Sequence, residues 1–128
     1  MNPVVHFEMP YEDRDRMVGF YQNVFGWKAH LMGPEMGEYA VMQTTETDEK
    51  NMIKEPGRIN GGFYKKNPEH PNPSIVISVD DITAAMKKVT DAGGKVVGDP
   101  VEIPGVGRYV AFFDPEGNAA SMLQPKTS

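Results

Sequence analysis

No cysteine occurs in the 128 residues. That excludes disulfide staples, a thiol nucleophile and zinc–thiolate sites, and nothing points to an oxidising compartment. No window approaches the roughly 20 apolar residues that a membrane span needs. The opening MNPVVHFEM lacks the basic and long apolar regions of a secretory signal, so a cytoplasmic protein is expected. Positive charge is scarce as well. Thirteen Lys and Arg against 18 Asp and Glu leave a net charge of −5, which argues against a nucleic-acid partner. The pairs Lys65-Lys66 and Lys87-Lys88 read as solvated faces. What remains is an ordinary globular composition, 39% hydrophobic and 24% charged, in a chain long enough for a single domain with a real core.

The strongest positive signal is an internal repeat. Asp13 to Trp27 reads DRDRMVGFYQNVFGW, and Asp81 to Lys95 reads DITAAMKKVTDAGGK, at an offset of 68 (81 − 13). Each follows an apolar run, VVHFEM over residues 4–9 and IVISV over 75–79, and each ends in a glycine, Gly26 or Gly93-Gly94. Two similar modules with a site where they meet are the expectation. The offset sets His6 opposite Ser74.

Alternation makes residues 3–9 a strand with Val5, Phe7 and Met9 on one face and Val4, His6 and Glu8 on the other. Asp13 caps a helix whose stripe is Met17, Phe20, Tyr21, Val24 and Phe25, ended by Gly26. Strands over 27–32 and 38–44 flank a Gly-Pro turn. Residues 45–58, TETDEKNMIKEPGR, read as a mobile loop or flap. A strand over 59–66 closes module 1 (about 1–66), and the Pro-rich NPEHPNP of 67–73 reads as a linker. Module 2 (about 73–125) repeats the order: strand 73–79, helix 82–92, strand 95–101, turn 104–107, strand 108–113, turn 114–118, strand 119–124. The class is α+β, two tandem βαβββ modules whose helices cover one sheet face and leave the other for a cavity.

Candidate site residues follow from the faces. His6 and Glu8 form either an acid–base or anchoring pair, in which the carboxylate raises the imidazole pKa, or a polar pair simply hydrogen-bonded in place. Ser74, Ser78 and Ser121 share the expected cavity face, with nothing to mark one as a nucleophile. Tyr39, Phe63 and Tyr109 are counted among the aromatic side chains available to line it, and alternation forbids all such side chains from doing so. Gly61-Gly62 reads as a bulge or a place for close ligand approach. Trp27 reads as packing at a module edge, His70 as a solvent residue.

The segments HFEMPYEDRDRMVGFYQNVFGW, SIVISVDDITAAMKKVTDAGGKVV and PGVGRYVAFFDPEGNAASMLQP resemble the vicinal oxygen chelate superfamily of glyoxalase I, extradiol dioxygenases, and fosfomycin and bleomycin resistance proteins. The DPEGN turn is the most specific piece. The resemblance implies a cup-shaped, curved mixed sheet with helices outside. It also implies metal ligands at four positions, of which only His6 matches. Ser74 and Ser121 stand at two others, and GGFY over 61–64 offers no carboxylate at the fourth. No metal and no cofactor is therefore expected. A metal-free binding protein for a small apolar or aromatic ligand is the first reading. The alternatives are a lyase, isomerase or dioxygenase-like enzyme using His6 and Glu8 or a non-standard metal site, and a subunit whose partner is another protein. A homodimer is expected, as related proteins commonly pair.

Overall fold

The computed structural model describes residues 1–126. His6–Pro73 form one compact unit, here the first. Met1–Val5 with the chain from Ser74 onward form the second. In chain order the elements are β1 (Val4–Tyr11), α1 (Arg14–Phe25), β2 (Lys28–Leu31), a one-turn 3-10 helix (Pro34–Met36), β3 (Ala40–Gln43) and β4 (Asn60–Lys65). Then come β5 (Ser74–Ser78), α2 (Ile82–Asp91), β6 (Lys95–Ile103), β7 (Gly107–Phe113) and β8 (Ala119–Pro125). The strand–helix–three-strand order thus occurs twice in an α+β chain. The strand order is β2-β3-β4-β1 in the first unit and β5-β8-β7-β6 in the second. β1 runs parallel to β4 and β5 parallel to β8, while the other pairs within each unit are antiparallel.

In the first unit the Asp13 carboxylate accepts from the Arg16 N–H, capping α1, and Gly26 ends it in the left-handed region at φ 74°. The face that α1 buries differs from the expected stripe. Val18 is buried, with Met17 and Tyr21 packed beside it, while Phe20, Val24 and Phe25 are more than half exposed. Successive helical residues are turned by about 100°, so seating Tyr21 on the sheet swings Phe20 off it. The core comprises Tyr11, Val18, Ala40, Met42 and Phe63. Trp27 is partly buried against this core and stacks on Tyr21 at 4.7 Å and 15°.

In the second unit the Asp81 carboxylate caps α2 through the Ala84 N–H, and the Gln124 side chain accepts from the Ile82 N–H at 2.9 Å. Ile82 is fully buried among Val79, Val110 and Met122. β6 is longer than expected. Its register shifts between Val97 and Val101, which lets it carry Pro100 at the end of the strand order, where no outer neighbour needs the missing N–H. In the 114–118 turn one Asp114 oxygen accepts from the Glu116 and Asn118 N–H groups. Hydrogen bonds from Asn118 hold the Asp114 carboxyl below its ordinary pKa.

Residues 45–58 form a loop, but a locally bonded one. Thr47 and Ile53 bridge antiparallel, the Asp48 carboxylate accepts from the Lys50 and Met52 N–H groups, and the Asn60 side chain accepts from the Thr44 and Thr45 N–H groups. The 67–73 stretch is tied down as well. The Tyr64 hydroxyl lies 3.1 Å from the His70 carbonyl and 2.8 Å from that of Asn72. His70 is half-buried and not the solvent residue expected, its N–H bonded to Asn67.

Candidate functional site

β1 presents Phe7 and Met9 to the α1 core and His6 and Glu8 to the opposite face, as strand alternation requires. Across the sheet Glu8 is paired with Gly62, which is also opposite Val41. Tyr39, just before β3, lies over this glycine. A Cβ at position 62 would run into the Tyr39 ring, and one at 61 into Phe7 on the other face. Neither glycine opens a bulge. Each admits an aromatic ring lying flat on the strand.

The Tyr39 hydroxyl then sits between the two polar side chains of β1. It is 3.2 Å from His6 Nε2 and donates to Glu8 Oε2 at 3.1 Å. Burial pushes the His6 pKa below 6.5. The expected rise through Glu8 is therefore not what the structure gives, because a phenol hydroxyl separates the two groups and desolvation of the imidazolium dominates. Burial, with the Glu8 charge adding to it, pushes the nearby Tyr64 phenol up.

Phe63 is the sequence-predicted site residue that leaves the list. It has no exposed surface and packs 5.3 Å from Tyr21 and 6.4 Å from Trp27. It shares the α1 side with Ala40, its β3 partner, so a one-residue difference in facing separates it from Gly62 and Tyr64.

In the second unit the register puts Ser121 beside Val76 and opposite Ala111, and puts Leu123 beside Ser78 and opposite Tyr109. Ser74, Ser78, Tyr109 and Ser121 therefore share the face turned away from α2, while Ile77, Val110 and Met122 pack under the helix. Ser121 is buried, and its hydroxyl is 2.6 Å from that of Tyr109. Ile75 belongs to the helix side by alternation yet remains exposed and outside the cluster packed under α2.

These donors suit a divalent ion poorly. Among the described residues no group of three or more His, Asp or Glu side chains comes together. His6 Nε2 faces a phenol, and Ser121 is a neutral hydroxyl bonded to another. Hard cations require carboxylates, and zinc requires several imidazole or anionic ligands. Tyr39 had been read only as lining. Its bridging role has one local sequence signal, a glycine in the middle of a strand.

Among curated proteins, the chain is 30% identical over 123 residues to the anthracycline biosynthesis protein DnrV of Streptomyces peucetius, covering 88% of this chain and 43% of that protein. It is 33% identical over 116 residues to a glyoxylase-like domain-containing protein of Didymella fabae, covering 87% and 84%. The chain spans less than half the length of DnrV and of several other relatives, 42–43% of each. Among solved structures, a methylmalonyl-CoA epimerase of Streptomyces coelicolor, in complex with 2-nitronate-propionyl-CoA, superposes with a TM-score of 0.71 at 15% identity, over 97% of both chains. The hypothetical protein BH1468 of Bacillus halodurans gives 0.70 at 14%, over 99% of this chain and 96% of that one. At such identities these two likenesses bear on the fold alone. No helix among the described residues is long and apolar enough to cross a membrane. The match to the family itself runs over residues 4–122, and with it the twice-repeated strand–helix–three-strand order places the chain in the Glyoxalase/Bleomycin resistance protein/Dioxygenase superfamily.

Proposed function

We propose that the protein is a metal-free, glyoxalase-like binder of a small apolar or aromatic molecule. The contacts we assign to it are His6, Glu8 and Tyr39 on the first unit. The observation that carries this reading is the closure of His6 onto the Tyr39 hydroxyl. The one residue that matches a ligand position of the superfamily's metalloenzymes is engaged in an organic hydrogen-bond chain; of the other three positions two hold neutral hydroxyls, and the third, in GGFY over 61–64, offers no carboxylate.

The name of the relative DnrV suggests a probe, a planar phenolic anthracyclinone. Its intrinsic fluorescence reports binding directly. Micromolar affinity that survives EDTA is expected. Glu8→Ala is expected to weaken binding tenfold or more while shifting the melting temperature little, since Glu8 is half-buried on the β1 face turned away from the α1 core. One equivalent of zinc, nickel or manganese retained after dialysis, and lost in His6→Ala, would overturn the metal-free reading.

A second reading has a specific observation behind it. A neutral imidazole hydrogen-bonded through a phenol to a carboxylate is equipment for proton abstraction, which supports a lyase or isomerase. Turnover abolished in both His6→Ala and Glu8→Gln would select it over binding alone.

Proteins of this superfamily commonly bind small ligands and oligomerise. We further propose a homodimer. Support comes from the outer face of α1, where exposed Phe20, Val24 and Phe25 form an apolar strip, the two phenyl rings 6.4 Å apart. A dimer is expected by sedimentation at micromolar concentration, shifted to monomer in Val24→Glu. Wild-type protein that sediments only as monomer would remove the claim.

A further inference from the structure

The hydrogen-bond chain on the first unit has a direction. An ionised carboxylate can only accept, so with Tyr39 Oη 3.1 Å from Glu8 Oε2 the phenol proton points at Glu8. Towards His6 the phenol oxygen is then left with lone pairs alone. At 3.2 Å the hydrogen between them has to come from Nε2. The imidazole is thereby held as its Nε2–H tautomer, and Nδ1 carries the lone pair.

A second, independent feature fixes the same hydroxyl. The Tyr39 ring lies over Gly62, where any side chain would collide with it. Gly62 is directly opposite Glu8 in β4 and opposite Val41 in β3, so the ring can cross the sheet surface to reach both β1 side chains. Backbone and carboxylate together leave the hydroxyl one place to be.

We propose that Tyr39 is a positioning residue that locks His6 in the Nε2–H tautomer, so that Nδ1 accepts a hydrogen bond from an uncharged, proton-donating group of the ligand, a phenol or an enol. The ligand class follows from the charges. The imidazole is neutral near pH 7 because burial lowers its pKa, so it offers no cation to an anionic group. Glu8 on the same strand face repels one. This deepens the binding reading and rests on it for the ligand. The tautomer itself is a property of the free protein and is measured without any ligand.

The experiment is nitrogen-15 NMR of the imidazole rings at pH 7.5, followed by titration with an anthracyclinone and with its O-methyl ether. His6 is expected to show a proton-bearing Nε2 and a pyridine-type Nδ1. Tyr39→Phe is expected to collapse this to a mixture of tautomers, as is Gly62→Ala if that variant folds. A purely structural tyrosine would leave the ring nitrogens unmoved. Tyr39→Phe should also weaken anthracyclinone binding about tenfold, one hydrogen bond's worth, and the ether should bind wild type at least tenfold more weakly than the phenol. A proton-bearing Nδ1 in wild type, or an unchanged tautomer in Tyr39→Phe, overturns the positioning role. Equal affinity for phenol and ether overturns the ligand class. If neither compound binds while the tautomer behaves as stated, the binding reading and the ligand class fall and the positioning role stands.

Discussion

Phe63→Ala is expected to lower the unfolding free energy by about 3–5 kcal/mol. For a chain of this size that is a fall in melting temperature of roughly 10–20 °C. Phe63 has no exposed surface and packs beside the stacked rings of Tyr21 and Trp27, with Ala40 opposite it in β3. Backbone strands on one side and a helix on the other leave little freedom to collapse into the void. Phe20→Ala supplies the contrast. It removes the same side chain from the exposed side of α1 and, at concentrations low enough to keep both variants monomeric, is expected to change stability by no more than about 0.5 kcal/mol. Urea melts of the two variants decide the matter. Equal effects would mean that α1 is seated on the other face. A Phe63→Ala protein of wild-type stability but with impaired ligand uptake would return Phe63 to the site.

The second large effect is expected from Ser121→Glu, which places a carboxylate where the superfamily's metalloenzymes commonly carry a ligand. Ser121 is 3% exposed and hydrogen-bonded to Tyr109. With no cation to meet it there, the introduced carboxylate is expected to destabilise the fold by about 3 kcal/mol or more at neutral pH. The sign with pH follows from the folded-state pKa, which burial raises above the unfolded value of about 4.3. Between those two values the folded state holds the extra proton, so the deficit is smallest near and below the unfolded pKa. It grows as pH rises through the folded one. Melts at about pH 4 and pH 7.5, where Glu is respectively largely protonated and ionised, with and without zinc or nickel, test this. A variant as stable as wild type at the higher pH, or one restored by a divalent ion, would show that the residues around Ser121 still form a metal site.

Much of the fold was legible because its signals are local. Asp13 and Asp81 before apolar-periodic segments, Gly26 after one, and the Asp114–Asn118 turn each act within a few residues, and each does in the structure what its chemistry predicts. Strand alternation was enough to separate His6 and Glu8 from Phe7 and Met9. It was not enough in Gly61-Gly62-Phe63-Tyr64, because two glycines carry no side chain to declare a face, and the register with Ala40 decides that Phe63 turns inward. The rotation of α1 failed for a related reason. Six apolar residues, Val18 among them, compete for a face that holds three, and the sheet beneath makes the choice. Tyr39 reaches His6 and Glu8 across 33 and 31 residues, a contact no window of sequence contains. Its trace was Gly62, read as part of a bulge or as room for a ligand when it makes room for the protein's own ring.

The grouping of Met1–Val5 with the chain from Ser74 on, sealed where the Ser78 N–H donates to the Pro3 carbonyl at 2.9 Å, has a consequence for biosynthesis. Residue 3 is made 75 residues before its partner (78 − 3). At translation speeds of 5–20 residues per second, the start of β1 waits roughly 4–15 s for it. The second unit cannot close until Ser78 has left the ribosome, whereas every residue of His6–Pro73 has been made before Ser78 is. An order of assembly is therefore written into the threading of a single strand. A substitution or insertion that disturbs residues 1–5 would act on a unit whose other strands are all synthesised after Pro73.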